Sequence, residues 1–349
     1  MPSQFSFQAG SRAAAIALIA GLAASSTPAA VIGTPQTVNG FTFINFDPAL
    51  PAGSVGSNVN GISNSGHVVG TTVDANNEST FLNFTGTPAL TIPLSTRTGA
   101  TAFGINRAGQ VVGTQNGAAF ILRGNRGPQS LDAPASATNA FGINDFGNIV
   151  GQFTSGNATP GFIVESARSR NFITINAPSG PNIVNAQGIN NFGLVLGFYQ
   201  GTDGQAHGFM ANAADAHNGV LTGTPVADPV IPVVNGEPGA TFVFSQLLGV
   251  NDRGIAVGYY GDSTNSQHGF IYDTNTGTYT FLDDPAEAFN NGVEVTQITG
   301  IADSGEIAGF YTDANGAAHS FIACPTYAFC PDFPNDLPNQ DPVQDRERR

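Results

Sequence analysis

The chain has 349 residues, of which 41% are hydrophobic and only 10% charged, with 44 Gly, 22 Pro and no Trp. Soluble domains usually carry about 25% charged residues, so this composition describes many short strands joined by tight turns. The formal net charge is −14 and every basic residue is Arg, which argues against nucleic acid or an anionic membrane as partner, because phosphate binding needs a clustered basic surface.

The first element in chain order is apolar. Residues 13–24, "AAAIALIAGLAA", follow Arg12 and precede "SSTPAA". A short apolar stretch with a small-residue zone behind it is the pattern of a secretory signal peptide over 1–30, cleaved within 24–30. An N-terminal core helix is the alternative. No later segment has the length of an apolar membrane span. The mature chain is therefore expected to be secreted or periplasmic, soluble and monomeric.

After "FTFINFD" (41–47), a β-prone run, one phrase occurs six times: "GISNSGHVVG", "GINRAGQVVG", "GINDFGNIVG", "GINNFGLVLG", "GVNDRGIAVG" and "GIADSGEIAG". Its first glycines are Gly61, Gly104, Gly142, Gly188, Gly249 and Gly300. Repeats at this spacing mark stacked supersecondary units. Each phrase reads as a hairpin, with a short loop ending in a glycine that takes positive φ without steric cost. Gly66, Gly109, Gly147, Gly193, Gly254 and Gly305 hold that place. In the second copy this loop sets Asn106 against Gln110, Ile105 against Val111 and Phe103 against Gly113, so that Phe103 covers the bare glycine. Third strands follow in "AAFILR", "PGFIVE", "HGFMA", "HGFIYD" and "HSFIA", and fourth strands in "ALTIPL", "PQSLDAP", "NFITINAP" and "TYTFLDDP".

Six four-stranded antiparallel units are the size and number of an all-β, six-bladed β-propeller over 31–323; a β-solenoid is the alternative. A single four-stranded sheet cannot bury both faces, whereas six packed radially can. The last unit lacks a fourth strand, and 41–47 is expected to fill the vacancy and close the ring, with "TYAF" (326–329) as rival. The surplus at 212–239 reads as a long inserted loop. The end of the chain, 324–349, is a polar, Pro-rich tail carrying Cys324 and Cys330, which are expected to pair in an oxidising compartment.

The phrase followed by H-x-F resembles the HAF-type extracellular repeat family of bacterial exported proteins, over roughly residues 40–323. The triplet occurs at His207-Gly208-Phe209, His268-Gly269-Phe270 and His319-Ser320-Phe321; the first three copies depart from it. The resemblance implies export and repeat architecture, and no reaction.

Chemistry-bearing motifs are sparse. No nucleophile elbow, phosphate loop or zinc spacing is present. "GTDG" (201–204) and "DANG" (313–316) have the polar content of a calcium loop without its ligand spacing and read as hairpin tips, so no cofactor is expected, with calcium as the alternative. Asp283-Asp284, next to Pro285, reads as a strand-end turn. One regularity remains. Tyr199 and His207, Tyr260 and His268, and Tyr311 and His319 are each eight residues apart, with Asp203, Asp262 and Asp313 between them. They form either a one-sided binding surface or structural pairs in which Tyr and His satisfy each other; the structural reading is preferred. His67 and His217 lie outside this register. A non-catalytic domain that binds carbohydrate or protein at a loop face is the leading expectation, followed by a glycan-active hydrolase or lyase with acidic residues at the propeller mouth, and then by a surface or matrix scaffold.

Overall fold

The computed structural model describes residues 30–47, 54–74, 79–85, 91–92, 100–123, 128–131, 138–165, 171–231, 240–288, 290 and 292–326. The expected signal peptide, apart from Ala30, and the tail beyond Thr326, including Cys330 and the rival strand at 327–329, lie outside them. The chain is all-β and folds as a β-propeller. No helix among the described residues is long and apolar enough to cross a membrane.

β1 (Ala30–Val38) and β2 (Phe41–Asp47) form an N-terminal hairpin turning through Asn39 and Gly40. Five consecutive sheets follow. The first is β3 (Ser54–Ile62), β4 (His67–Asp74), β5 (Ser79–Thr85) and β6 (Thr91–Ile92). The second is β7 (Ala100–Ile105), β8 (Val111–Gln115), β9 (Ala118–Leu122) and β10 (Gln129–Ser130). The third is β11 (Thr138–Ile143), β12 (Ile149–Phe153), β13 (Gly161–Val164) and β14 (Phe172–Asn176). The fourth is β15 (Val184–Ile189), β16 (Leu194–Gln200) and β17 (Ala206–Asn212), with β18 (Val220–Thr222) and β19 (Thr224–Pro225) downstream. The fifth is β20 (Phe242–Val250), β21 (Ile255–Asp262), β22 (Gln267–Asp273) and β23 (Thr278–Phe281). In the sixth sheet, β24 (Thr296–Ile301), β25 (Ile307–Thr312) and β26 (Ala318–Pro325) continue into β2 and then β1.

The phrase is the hairpin between the first and second strands of each sheet. In the second copy Gly109 N–H donates to Asn106 O at 2.9 Å and Asn106 N–H to Gln110 O at 3.1 Å. All six expected turn glycines have positive φ, from 70° at Gly109 to 94° at Gly305. The expected register fails by one residue beyond the turn. A bulge lies between Ala102 and Gly104, so Gly113 faces Ala102 and Phe103 is the extra, unpaired residue. The bare backbone of Gly113 is covered from the other side, by the Phe120 ring of β9. The same irregularity precedes the first glycine of every phrase, and a bulge releases its residue to point away from the sheet.

Of the inserted segment 212–239, the described residues 212–231 hold two short strands. β19 supplies the fourth strand of its own sheet, and β18 adds a parallel fifth strand to the preceding sheet, beside β14. β26 runs two residues past the expected domain boundary, so buried Cys324 is a ladder residue opposite Thr42.

Core packing lies between successive sheets. Phe120, Phe162, Phe209, Phe270 and Phe321, the phenylalanines of the third strands, are all buried. They repeat one inter-sheet layer, each standing over the glycine that closes its phrase or packed against the neighbouring sheet.

Candidate functional site

A cavity of about 230 Å³ runs between the first strands of all six sheets. Its wall includes the residues released by the bulges: Asn60, Phe103, Phe141, Gln187, Leu248 and Thr299. The sheets approach one another closely here because the next residue is always glycine. An ideal Cβ on Gly104 would lie 2.7 Å from Phe141 O, and one on Gly300 would lie 3.2 Å from the Gly61 Cα.

Toward the phrase turns the cavity narrows past Ile62, Ile105, Ile143, Ile189, Val250 and Ile301 and opens into a polar mouth. Two layers of hydrogen bonds organise that mouth. In the inner layer the phrase asparagine reaches across to the next sheet. The Nδ2 groups of Asn106, Asn144 and Asn190 each donate to the main-chain oxygen of the next asparagine at 3.0 Å, and Asn251 donates to Ala302 O at 3.2 Å. The Oδ1 of each asparagine accepts from its own turn, as in Ala108 N–H and Gln110 N–H onto Asn106. One side chain thus caps its own hairpin and ties it to its neighbour, and buried polar groups are left paired.

The outer layer uses the following residue. Arg107 N–H donates to Asp145 Oδ1, Asp145 N–H to Asn191 Oδ1, Asn191 N–H to Asp252 Oδ1, Asp252 N–H to Asp303 Oδ1 and Asp303 N–H to Asn64 Oδ1, at 2.8–2.9 Å. Asn64 Nδ2 also bonds Asp145 Oδ2 at 3.0 Å across the opening, and Asn191 Nδ2 bonds Asp252 Oδ2 at 2.9 Å. Three carboxylates and two amides therefore share the rim. Burial raises the Asp303 pKa; the Asp252 N–H opposes this, while the charges of Asp252 and Asp145 add to it.

Beyond the rim stand two unusual side chains. Phe146 is 75% exposed and Phe192 is 74% exposed, each directly after a rim residue, on adjacent sheets. Two large aromatic rings therefore face solvent beside hydrogen-bonding groups. Sequence reasoning did not single them out. The signal was available: with the six phrases aligned, the residue before the turn glycine is Ser65, Ala108, Phe146, Phe192, Arg253 and Ser304, a variable position inside an otherwise constant frame.

The Tyr/His pairs lie elsewhere, on the second and third strands and at the other end of the sheets from the phrase turns. The pairing is direct: Tyr199 faces His207, Tyr260 faces His268 and Tyr311 faces His319, with ring centroids 5.9, 5.1 and 5.4 Å apart. All three tyrosines are buried. The histidines are not satisfied by tyrosine, as expected, but by pairs of aspartates. His207 sits between Asp228 (2.8 Å) and Asp203 (3.0 Å), His268 between Asp283 (2.9 Å) and Asp262 (3.6 Å), and His319 between Asp47 (3.0 Å) and Asp313 (3.6 Å). The second aspartate of each set was missed. Its signal is an acidic residue at or just past the end of the fourth strand, one or two places before proline, in "FDP", "ADP" and "LDDP". The histidine side chains are only 16–18% exposed.

Asp283 has a further role beside that of a turn. Around it, burial and then the Asp283 charge push Glu287 up to about 8, and burial pushes Asp284 up to about 6.

No protein-family model and no curated protein matches the chain. Among solved structures, the chain is similar to a gluconolactonase from Xanthomonas campestris (10% identity, 86% of this chain and 98% of that one, TM-score 0.49). It is also similar to a subtype N11 neuraminidase-like protein of A/flat-faced bat/Peru (12% identity, 88% and 99%, TM-score 0.45). A third is the BP39L lectin from Burkholderia pseudomallei (15% identity, 86% and 92%, TM-score 0.43).

Proposed function

We propose that this protein is an exported, non-catalytic binding domain that takes carbohydrate at the turn-end mouth of the propeller. The observation that carries the reading is the pair of exposed rings, Phe146 and Phe192, next to the rim residues Asp145 and Asn191. A sugar ring has a face of C–H groups and an edge of hydroxyls. The negative face of an aromatic ring attracts the C–H face, while carboxylates and amides bond neighbouring hydroxyls. An exposed apolar pair rimmed by such groups marks an interaction surface. Protein partners need a larger apolar area than two isolated rings supply.

The reading includes a closed ring of six blades, with β2 as the missing strand of the last. Three observations support this: the pairing of β2 with β26, the close approach of Gly300 to Gly61, and the bond between Asp303 N–H and Asn64. It also includes export, kinship with the HAF-type repeats and a Cys324–Cys330 disulfide, all expected from the sequence.

A glycan array probed with the mature chain tests the proposal. Binding is expected, and the double variant Phe146→Ala/Phe192→Ala should weaken it at least about tenfold, the loss of two stacking contacts, while the melting temperature stays unchanged. Equal binding by that variant refutes the site. Because Asp303 holds a raised pKa among carboxylates, the same glycans are screened for cleavage, and cleavage lost in Asp303→Asn would establish the hydrolase or lyase reading instead. Silence in both assays favours a scaffold.

A further inference from the structure

The three His–Asp units are not equivalent. We propose that the unit of the fifth sheet, His268 with Asp283 and Glu287, binds one divalent transition-metal cation at the seam between the fifth and sixth sheets.

One ligand atom from each of these three residues lies within 4.8 Å of the others, a set found nowhere else among the described residues. His207 and His319 have the same two flanking aspartates but no third carboxylate of this kind. The difference is Glu287, which the chain places in the segment between β23 and β24.

Each carboxylate is held in place through one oxygen by a neighbouring strand. Gly269 N–H donates to Asp283 Oδ1 at 2.8 Å, while Asp283 Oδ2 meets His268 Nδ1 at 2.9 Å. Thr296 Oγ1 donates to Glu287 Oε2 at 2.6 Å. Such outer contacts orient metal ligands and are part of a site's design. The same hydroxyl accepts Asp284 N–H at 3.1 Å, which locks the segment between the two ligands to β24.

Asp284 is 1% exposed; its Oδ1 accepts from Asn45 and from Ala286 N–H, and its Oδ2 has no partner. Burying a polar atom unpaired is costly. Asp262, Asp283 and Glu287 thus stand around one histidine, His268, with Asp284 adjoining Asp283 in the chain. Like charges packed this closely repel, and a cation removes the repulsion.

The donor set also selects the ion. One imidazole nitrogen and two carboxylates suit Zn²⁺ or Mn²⁺, whereas Ca²⁺ takes 6–8 oxygens. This site is independent of the proposed carbohydrate mouth, which lies at the other end of the sheets.

The test uses the untagged mature chain after chelator dialysis. Titration against a chromophoric Zn²⁺ chelator should show one Zn²⁺ per chain. Glu287→Gln and His268→Gln should each weaken binding at least tenfold, while His319→Gln, in the twin unit, should leave it unchanged. Absence of Zn²⁺ and Mn²⁺ binding overturns the proposal, as does equal binding by folded Glu287→Gln. A measurement on unmodified protein covers the case in which the variants fail to fold. Substoichiometric Mn²⁺ should broaden the His268 imidazole resonances and spare those of His207 and His319; equal broadening of all three overturns the assignment.

Discussion

Asp47 of β2 accepts a hydrogen bond from His319 of β26 at 3.0 Å, although the two residues are 272 positions apart. The contact has the same form as His207 with Asp228 and His268 with Asp283, whose partners are only 21 and 15 positions apart. The N-terminal strand therefore reproduces the hydrogen-bond chemistry of a fourth strand as well as its ladder. Its side chains are buried to match: Phe43 packs on Phe321 with centroids 5.2 Å apart.

Removal of residues 41–47 should accordingly abolish cooperative folding, whereas removal of 332–349, which carries no periodic apolar pattern, should leave the melting temperature nearly unchanged. The point variant Asp47→Ala should cost about 1–3 kcal/mol, the range for leaving a buried polar partner unsatisfied. Thermal melts of the three proteins decide this; equal, small losses would mean that β2 does not close the ring.

The histidines predict a pH dependence. Burial lowers the His207 pKa, but hydrogen bonds and charges from Asp203 and Asp228 outweigh it and leave the value raised. For His319 the Asp47 hydrogen bond leads, and its pKa is also raised. A pKa raised in the folded state stabilises fully below the unfolded value, about 6.5, and that stabilisation is lost as pH rises through the folded value. Melting temperature should therefore decline as pH rises above about 6.5, and the double variant His207→Asn/His319→Asn should flatten that slope. A melting temperature that climbs over the same range in the wild-type chain contradicts this account.

Two glycines of one phrase should fail for different reasons. Gly104→Ala places a methyl group 2.7 Å from Phe141 O at the closest approach of two sheets, and overpacking of this kind costs about 1–3 kcal/mol. Gly109→Ala meets no atom within 4 Å but carries φ +70°, a conformational cost of about 1–2 kcal/mol. Crystal structures of the variants separate the two. The first should shift the neighbouring sheet; the second should change only the local turn.

Export predicts that protein collected outside the cytoplasm starts within about residues 25–31, at the small-residue zone. β1 begins at Ala30, so cleavage before that residue leaves the N-terminal hairpin whole. N-terminal sequencing reads the outcome directly, and an intact Met1 in exported material would remove the signal-peptide reading.

The sequence by itself determined the repeat. Period-two apolar runs, a glycine at each turn tip and a six-fold recurrence specify hairpins and sheets, because these depend on neighbours close in the chain. The Tyr/His pairs were legible for the same reason: eight residues across a hairpin bring Tyr260 and His268 face to face. What only the tertiary structure decided involves residues far apart. The bulge at Phe103 turned a side chain from its strand partner into the central cavity, since a single extra residue reverses which face a side chain meets. Asp47 became a partner of His319, β18 joined the sheet before its own, and Glu287 came within coordinating distance of His268. The mouth was decided there too. Asp145, Asp252 and Asp303 each sit in an ordinary turn, and Phe146 and Phe192 differ little from any loop phenylalanine, until radial packing brings the turns around one axis and makes a polar rim with two exposed rings.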